Sequence, residues 1–308
     1  DNKKFIRGLH NLKPEHSGCV ATIGSFDGVH LGHQAILRQL IDKANELGLP
    51  SVVMIFEPQP QEFFSGEQAP ARLMRLREKV EAFINVGVDK IFCLQFNRSL
   101  RSLSAIDFVE KVLISGLKVR CLVVGDDFRF GAKRAGDFEL LKEWGAANDT
   151  DVIAHSTVSF QDERISSTRI RAALLESDFT LAEQLLGRPY TFSGKVVFGQ
   201  QIGRSIGIPT ANLWIPKQRL PIAGVYAVTC SIEGKTHKGI ANMGIRPTVG
   251  GTKPVLEVHI FDFNEMVYGK RLTVEFKNKL RDEKKFDNIA LLKEQILTDI
   301  SKAKKILE

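Results

Sequence analysis

The 308-residue chain is poor in tryptophan (2), tyrosine (3), methionine (4) and cysteine (4). The cysteines, Cys19, Cys93, Cys121 and Cys230, stand far apart and form no Cys-x-x-Cys pair. Neither a zinc site nor a disulfide framework is expected from that spacing. Cys93 and Cys121 lie inside apolar strand-like runs and read as small buried core residues. Long apolar runs are missing as well. Stretches such as Val52–Phe56 fall far below the roughly 18–20 residues that span a bilayer. The segment from Asp1 to Phe5 has no signal-peptide character, and the absence of an initial Met reads as a processed start, so a cytoplasmic location is expected. There is no low-complexity linker, no internal repeat and no Lys/Arg run longer than two residues.

What is present is ordinary for a globular protein: 43% hydrophobic and 26% charged residues, which excludes a disordered, collagen-like or heavily acidic chain. The length suits two domains with a core in each. Lys+Arg 43 against Asp+Glu 36 leaves a formal charge of +7. That surplus suits nucleic acid, an anionic membrane face or small polyphosphates, and charge alone does not choose among them.

The first part alternates strands with helices. Val20–Ile23 is a short apolar strand. From His33 onward, Ile36, Leu37, Leu40, Ile41, Ala44 and Leu47 line one face of an amphipathic helix, with Gly48 at its C-cap position and Pro50 beyond. Ser51–Phe56 is continuously apolar, as in a sheet covered on both faces. Further strands are expected at Lys90–Gln95, Arg120–Val124 and Asp151–Ala154, with helices near Arg75–Ile84, Ser104–Ile114 and Gly136–Ala147. Strand starts recur about every 30 residues, the size of a βαβ unit. The expected fold of residues 1–186 is therefore a parallel, doubly wound α/β sheet of Rossmann-like type.

The pattern changes at Gly187-Arg188-Pro189. Tyr226–Ile232, a turn at Glu233-Gly234 and His237–Ala241 read as a hairpin, and Leu256–Phe261 and Leu272–Phe276 as further alternating strands. Residues 187–308 are expected to form an antiparallel β barrel followed by a C-terminal helix. That helix starts near Asn288, with Asp287 as N-cap and Ile289, Leu292, Ile296, Ile300, Ala303 and Leu307 as its apolar stripe.

The densest signal is Gly24-Ser25-Phe26-Asp27-Gly28-Val29-His30-Leu31-Gly32-His33, between the first strand and the first helix. Ligands of open α/β sheets bind at carboxyl ends of strands. Glycines let the backbone approach a bulky anion, and a helix N-terminus offers N–H groups and partial positive charge. His30 and His33 can face one side and donate hydrogen bonds to phosphate oxygens, as nucleotidyl transfer requires. The alternative is two surface histidines in a Gly-rich turn. No third ligand cluster stands nearby for zinc.

The His-x-Gly-His element resembles the signature of the nucleotidyltransferase superfamily, shared with class I aminoacyl-tRNA synthetases. The longer run Ile23-Gly24-Ser25-Phe26-Asp27-Gly28-Val29-His30-Leu31-Gly32-His33-Gln34 resembles the bacterial bifunctional riboflavin kinase/FMN adenylyltransferase family. Phe56-Glu57-Pro58-Gln59-Pro60, Val124–Gly131 and Ile165–Arg171 resemble that family too, so the likeness covers essentially the whole chain. It implies nucleotide or flavin binding by Gly24, Phe26, Asp27, Gly28, Gly32, Asp126, Asp127, Arg129, Ser167, Thr168 and Arg171, with His30 and His33 catalytic. The run Ile165–Arg171 is implied to close over ATP, with Arg171 available to the β/γ-phosphates. A capping motif with an exposed Arg is the plainer reading of that run, and Arg169 points elsewhere on the helix. Many family members carry Asn where this chain has Asp127, which leaves a flavin or ribose contact and a metal contact both open for it. Phe56, Phe128 and Phe130 suit either ring stacking or core packing.

A second Gly-rich run, Gly199–Pro209, leads into Pro209-Thr210-Ala211-Asn212, which is similar to the riboflavin kinase part of the same family. Thr210 and Asn212 supply hard oxygen ligands suited to Mg²⁺ on ATP phosphates. Glu257, in Leu256–Phe263, alternates with Leu256 and Val258 and so faces away from them. The resemblance makes Glu257 the general base, against the plainer reading of a solvent-facing strand Glu. It places Gly199, Gly203, Gly207, Asn242 and Arg246 at the kinase nucleotide or flavin site, Arg246 as a supporting residue. Arg271 suits substrate or solvent.

The expected enzyme converts riboflavin and ATP to FMN and ADP in the second domain, and FMN and ATP to FAD and diphosphate in the first. Its partners would be riboflavin, FMN, FAD, ATP and Mg²⁺, with no nucleic acid or membrane. The oligomeric state is not legible. The rivals are another nucleotidyltransferase with one active site, and a flavin- or nucleotide-binding protein. No basic-aromatic RNA motif supports an RNA-binding role.

Overall fold

Apolar runs and glycine-marked turns build two compact units, Asp1–Pro70 with Met74–Ser167, and Ala71–Leu73 with Thr168–Glu308. The structure, a computed structural model, describes residues 4–16, 18–199, 201–216 and 219–308. Asp1, Asn2, Lys3 and Gln200, all part of the sequence reading, lie outside the described residues.

The first unit contains β1 (Phe5–Arg7), β2 (Cys19–Ile23), α1 (Leu31–Leu47), β3 (Ser51–Glu57), α2 (Pro60–Ser65), α3 (Leu76–Val86), β4 (Lys90–Gln95), α4 (Arg98–Arg101), α5 (Ala105–Phe108), β5 (Val119–Gly125), α6 (Phe138–Ala147), β6 (Asp151–His155), β7 (Ser159–Phe160) and β8 (Glu163–Arg164). Six strands form a wholly parallel sheet in the order β1-β4-β3-β2-β5-β6. Side chains alternate between its faces. Ala21, Ile23, Val52 and Met54 join Phe108, Val112 and Leu141 on one side, and Val20, Val53 and Ile55 join Leu37, Leu40 and Phe83 on the other. Both faces are covered, so the central strands can be continuously apolar. The chain runs outward from β2 to β3 and β4, then restarts beside β2 at β5. The switch point, where such folds bind ligands, lies between the carboxyl ends of β2 and β5. The structure adds β1, a three-residue edge strand too short to show a period. The helix expected over Ser104–Ile114 starts as α5 and continues as a π-helical turn over Val109–Ile114.

The second unit contains α7 (Ser167–Leu175, its first residue belonging to the first unit), α8 (Phe179–Leu186), β9 (Thr191–Val197), α9 (Ile202–Ser205), β10 (Ala211–Leu213), β11 (Gly224–Ile232), β12 (Lys235–Thr248), β13 (Gly251–Ile260), β14 (Arg271–Arg281) and α10 (Ile289–Ile306). The six strands close into an antiparallel barrel, β10-β13-β12-β11-β14-β9. β11, β12 and β13 follow as hairpins and β14 returns beside β11, a Greek key. Glu233 (φ 50°) and Gly234 (φ 80°) make the tight β11–β12 turn, whose left-handed backbone fits the strand twist. Leu256, Val258, Val274 and Phe276 are buried inside the barrel, while Ala227, Ile240 and Phe261 meet Ile296, Ile300 and Ala303 of α10. Asp299 of α10 is 1% exposed, and its carboxylate accepts two bonds from Arg281 Nε (3.1 and 2.9 Å) and one from Nη2 (2.9 Å). The N-cap of α10 is Asn288, whose side chain accepts the Leu291 N–H at 2.9 Å, in place of the expected Asp287. The Gly-rich loop contains the helical turn α9, which its glycines had hidden from a periodicity reading.

Candidate active sites

β2 is fully buried and delivers the chain to the switch point, where the backbone turns through strained geometry. Phe26 (φ 51°) and Val29 (φ 40°) adopt left-handed backbone, an outlier for a β-branched residue and typical of functional turns. Phe26 is buried, edge-on to Phe83, with its ring 5.1 Å from that of His33. Asp27 is buried; its Oδ1 accepts the Met74 N–H at 3.1 Å and its carbonyl accepts Ser167 Oγ–H at 2.8 Å. Asp27 and Gly28 (φ 88°) thus shape the turn, while Gly24, Phe26, His30, Gly32 and His33 line the cleft itself. Beneath the turn, Lys79 Nζ, 1% exposed, donates to the Ser25 carbonyl at 2.6 Å.

His30 is the N-cap of α1. Its Nδ1 accepts the His33 N–H at 3.2 Å, and His33 Nδ1 accepts the His30 N–H at 3.3 Å. The rings stack with centroids 3.5 Å apart and planes 16° apart. With both Nδ1 atoms accepting, a neutral ring carries its proton on Nε2. Glycine at position 32 is a steric requirement: a Cβ there would lie 2.9 Å from His30 Cε1.

The opposite wall follows β5 and β6. Asp126, Asp127, Phe128 and His155 line it. Asp127 pairs with Arg164 at 2.7 Å on the rim. Arg129 is turned to Asp137 (3.6 Å) and does not line the cleft. Phe130 is core and Phe56 packs against Phe96 and Phe108, so of these three phenylalanines only Phe128 borders the cleft. Ser167 borders it as well. Thr168 and Arg171 follow on α7 in the second unit, where Arg171 Nε donates to the Ala71 carbonyl at 2.6 Å. The sequence reading missed His155 and Lys79. His155 stands at the carboxyl end of an expected strand, which was a usable signal; a lysine on an amphipathic helix gives none.

In the barrel, register aligns Asn212 of β10, Glu257 of β13 and Asn242 of β12 in one cross-strand row. Glu257 faces opposite to buried Leu256 and Val258, as alternation requires. It borders a cavity on the outer barrel face with Thr210, Asn242 and Arg246. Arg246 forms an ion pair with Glu257. Val225, Ile240, Leu292, Ile296 and Phe286 contribute to the apolar lining of this cavity, and Arg281 and Asp299 anchor its α10 side. Asn242 Oδ1 is buried without a hydrogen-bond partner among the described residues. Gly203 borders the cavity and Gly207 (φ 77°) turns the loop. Gly199 packs so closely on the Asn212 amide that a Cβ would lie 2.0 Å from Nδ2. Arg271 is exposed.

Comparison with known proteins decides the family. The pattern described as FAD synthetase matches residues 12–169, and that described as riboflavin kinase matches residues 186–307. A bifunctional riboflavin kinase/FMN adenylyltransferase from Pseudomonas fluorescens is 52% identical over 302 residues, covering 98% of this chain and 97% of that protein. The chain belongs to the bifunctional riboflavin kinase/FMN adenylyltransferase family. Relatives with the same description from Haemophilus influenzae and Escherichia coli K12 are 47% and 46% identical, covering 98% and 96% of this chain and 98% and 95% of theirs. A crystal structure from Streptococcus pneumoniae, described as a macrolide-efflux protein, superposes with a TM-score of 0.80 at 32% identity, covering 96% of this chain and 97% of that one. The efflux description belongs to that protein. Among the described residues of this family member, no helix is long and apolar enough to cross a membrane.

Proposed function

We propose that the two reactions of this bifunctional flavin enzyme are divided between the cleft of the parallel sheet and the cavity on the barrel. Riboflavin and ATP give FMN and ADP; FMN and a second ATP give FAD and diphosphate. The matches over residues 12–169 and 186–307 support assigning adenylyl transfer to residues 1–186 and the kinase to 187–308.

The observation that carries the first assignment is the mutual capping of His30 and His33 at the switch point. It points two Nε2–H donors to where charge develops as an FMN phosphate oxygen attacks the ATP α-phosphorus and diphosphate departs. Neither histidine acts as nucleophile in this reading, so no covalent intermediate forms. In the kinase cavity, Glu257 takes the proton of the ribityl 5′-hydroxyl as that oxygen attacks the γ-phosphorus. The Arg246 ion pair orients its carboxylate.

The residues present fit Mg²⁺. Thr210, Asn212 and Glu257 offer only oxygen and amide donors, and the orphaned Asn242 Oδ1 marks a cavity that expects a further polar guest. Thr210 and Asn212 would hold the ion, which would supply charge neutralisation at the ATP phosphates. We place the enzyme in the cytoplasm, where its nucleotide substrates are. Incubating the protein with riboflavin, ATP and Mg²⁺ and separating the flavins by chromatography tests the reading. FMN followed by FAD supports it; absence of FMN sinks the kinase assignment.

A further inference from the structure

The adenylyltransferase cleft has two chemically opposite walls. On the α1 side, His30 and His33 each accept a backbone N–H at Nδ1, which leaves the ring proton on Nε2. On the side of β5 and β6 stand Asp126, Asp127 and His155. His155 Nδ1 lies 2.7 Å from Gln39 Oε1 of α1. A carbonyl oxygen only accepts, so Nδ1 carries the ring proton and Nε2 keeps its lone pair. That Nε2 is screened from solvent and has no hydrogen-bond partner among the described residues. Burial lowers the basicity of the ring, against an opposing effect of Asp126, and so favours the neutral form. An orphaned buried acceptor costs about 1–3 kcal/mol, a cost that a ligand removes by supplying a donor.

Ionised phosphate oxygens accept and do not donate, so a phosphate cannot be that ligand group. β6 is two strands away from β2, roughly 9–10 Å at the usual strand spacing. A nucleotide with its phosphates at His30 therefore reaches His155 with its sugar or its ring. We propose that His155 accepts a hydrogen bond from an uncharged hydroxyl, amino or imide group of the bound nucleotide and so holds its non-phosphate end. ATP offers such donors on its ribose and its 6-amino group, and FMN offers them on its ribityl chain and ring imide. The inference rests on the placement of adenylyl transfer in this cleft.

The test is steady-state FMN adenylylation by the full chain, with wild type, His155→Phe and His155→Gln, varying each substrate. For ATP the series includes 2′-deoxy-ATP, 3′-deoxy-ATP and purine riboside triphosphate. The expected result is a rise of about 3- to 10-fold in KM for one substrate in His155→Phe, with kcat nearly unchanged, the scale of one lost neutral hydrogen bond. Gln, which returns an acceptor oxygen, recovers part of it. Where the donor is on ATP, the analogue lacking it has a raised KM with wild type and shows no further penalty in the variant. A rise confined to FMN assigns the donor to the flavin substrate. Riboflavin phosphorylation by the same preparations reports on folding of the second unit, and a thermal melt on the first. If Phe disrupts the fold, the wild-type analogue series against His155→Gln still decides. Unchanged KM values for both substrates overturn the proposal, as does an equal rise with every analogue that Gln does not relieve. Adenylylation that survives His30→Ala with His33→Ala would instead overturn the placement in the cleft.

Discussion

His30 and His33 cap one another: each Nδ1 accepts the other's backbone N–H, and the rings stack 3.5 Å apart. One arrangement thus ends a helix and, in the proposed function, also serves the transferred phosphate. The two roles separate by substitution. His30→Ala should cost about 1 kcal/mol of stability through the lost cap and reduce FAD formation at least 100-fold, the usual loss for a transition-state donor. His30→Asn restores a cap acceptor without the ring, so the melting temperature should recover while FAD formation does not. Recovery of both would show that capping is the only role of His30.

Gly32→Ala sets two effects against each other. Alanine favours a helix by about 1 kcal/mol over glycine, yet its Cβ would stand 2.9 Å from His30 Cε1. The expected outcome is a stable protein whose adenylylation kcat falls roughly 10- to 100-fold, because a small displacement of a catalytic group is expensive. Kinase kinetics should be unchanged. Wild-type adenylylation in this variant would mean that the ring position does not matter.

Asp299→Asn leaves Arg281 without its carboxylate at the α10 side of the kinase cavity. Breaking a fully buried pair costs about 3–5 kcal/mol; with Arg281 still 20% exposed, roughly 2–4 is expected here. Urea unfolding should show that loss, and replacing both residues with apolar side chains should recover much of it. No change in the unfolding midpoint would remove the pair from the account.

The cysteines make a prediction about pH. All four are buried, and burial pushes Cys19 and Cys230 up to about 12; Cys121 rises to about 11, by burial first and then by Asp151. The fold favours the protonated thiol. This contribution is fully present below the ordinary thiol value near 9 and is lost as pH rises through 11–12. Native protein at pH 8 should give no prompt reaction with a thiol reagent, and urea should release four reactive thiols. A prompt native reaction at any of them would contradict the burial.

Much of this architecture was legible in the sequence for physical reasons. Ser51–Phe56 had to be a covered strand because it is apolar on both faces, and Gly48 had to end α1 because only a left-handed residue fits there (φ 65°). The Gly24–His33 run pointed to a ligand site because its glycines and two histidines stand between a strand's carboxyl end and a helix start, with two surface histidines in a turn as the alternative. Alternation set Glu257 on the face opposite Leu256 and Val258, and the family resemblance gave it a role. What escaped depends on contacts distant in sequence. Lys79 beneath Ser25, Asp299 with Arg281, and the orphaned Nε2 of His155 arise from segments 54, 18 and 116 positions apart. The turn of Arg129 to Asp137 likewise depends on how the loop folds, which spacing does not encode. The surplus of +7 is compatible with an enzyme whose substrates and products are polyanions.

Two separate sites for the two reactions are what the proposed function requires. The most direct measurement supplies riboflavin or FMN with MgATP to His30→Ala/His33→Ala and to Glu257→Gln, and separates the flavins by chromatography. The double histidine variant should accumulate FMN from riboflavin and make no FAD, and Glu257→Gln should make no FMN yet still convert supplied FMN to FAD. Loss of both activities in either folded variant would contradict the two-site reading.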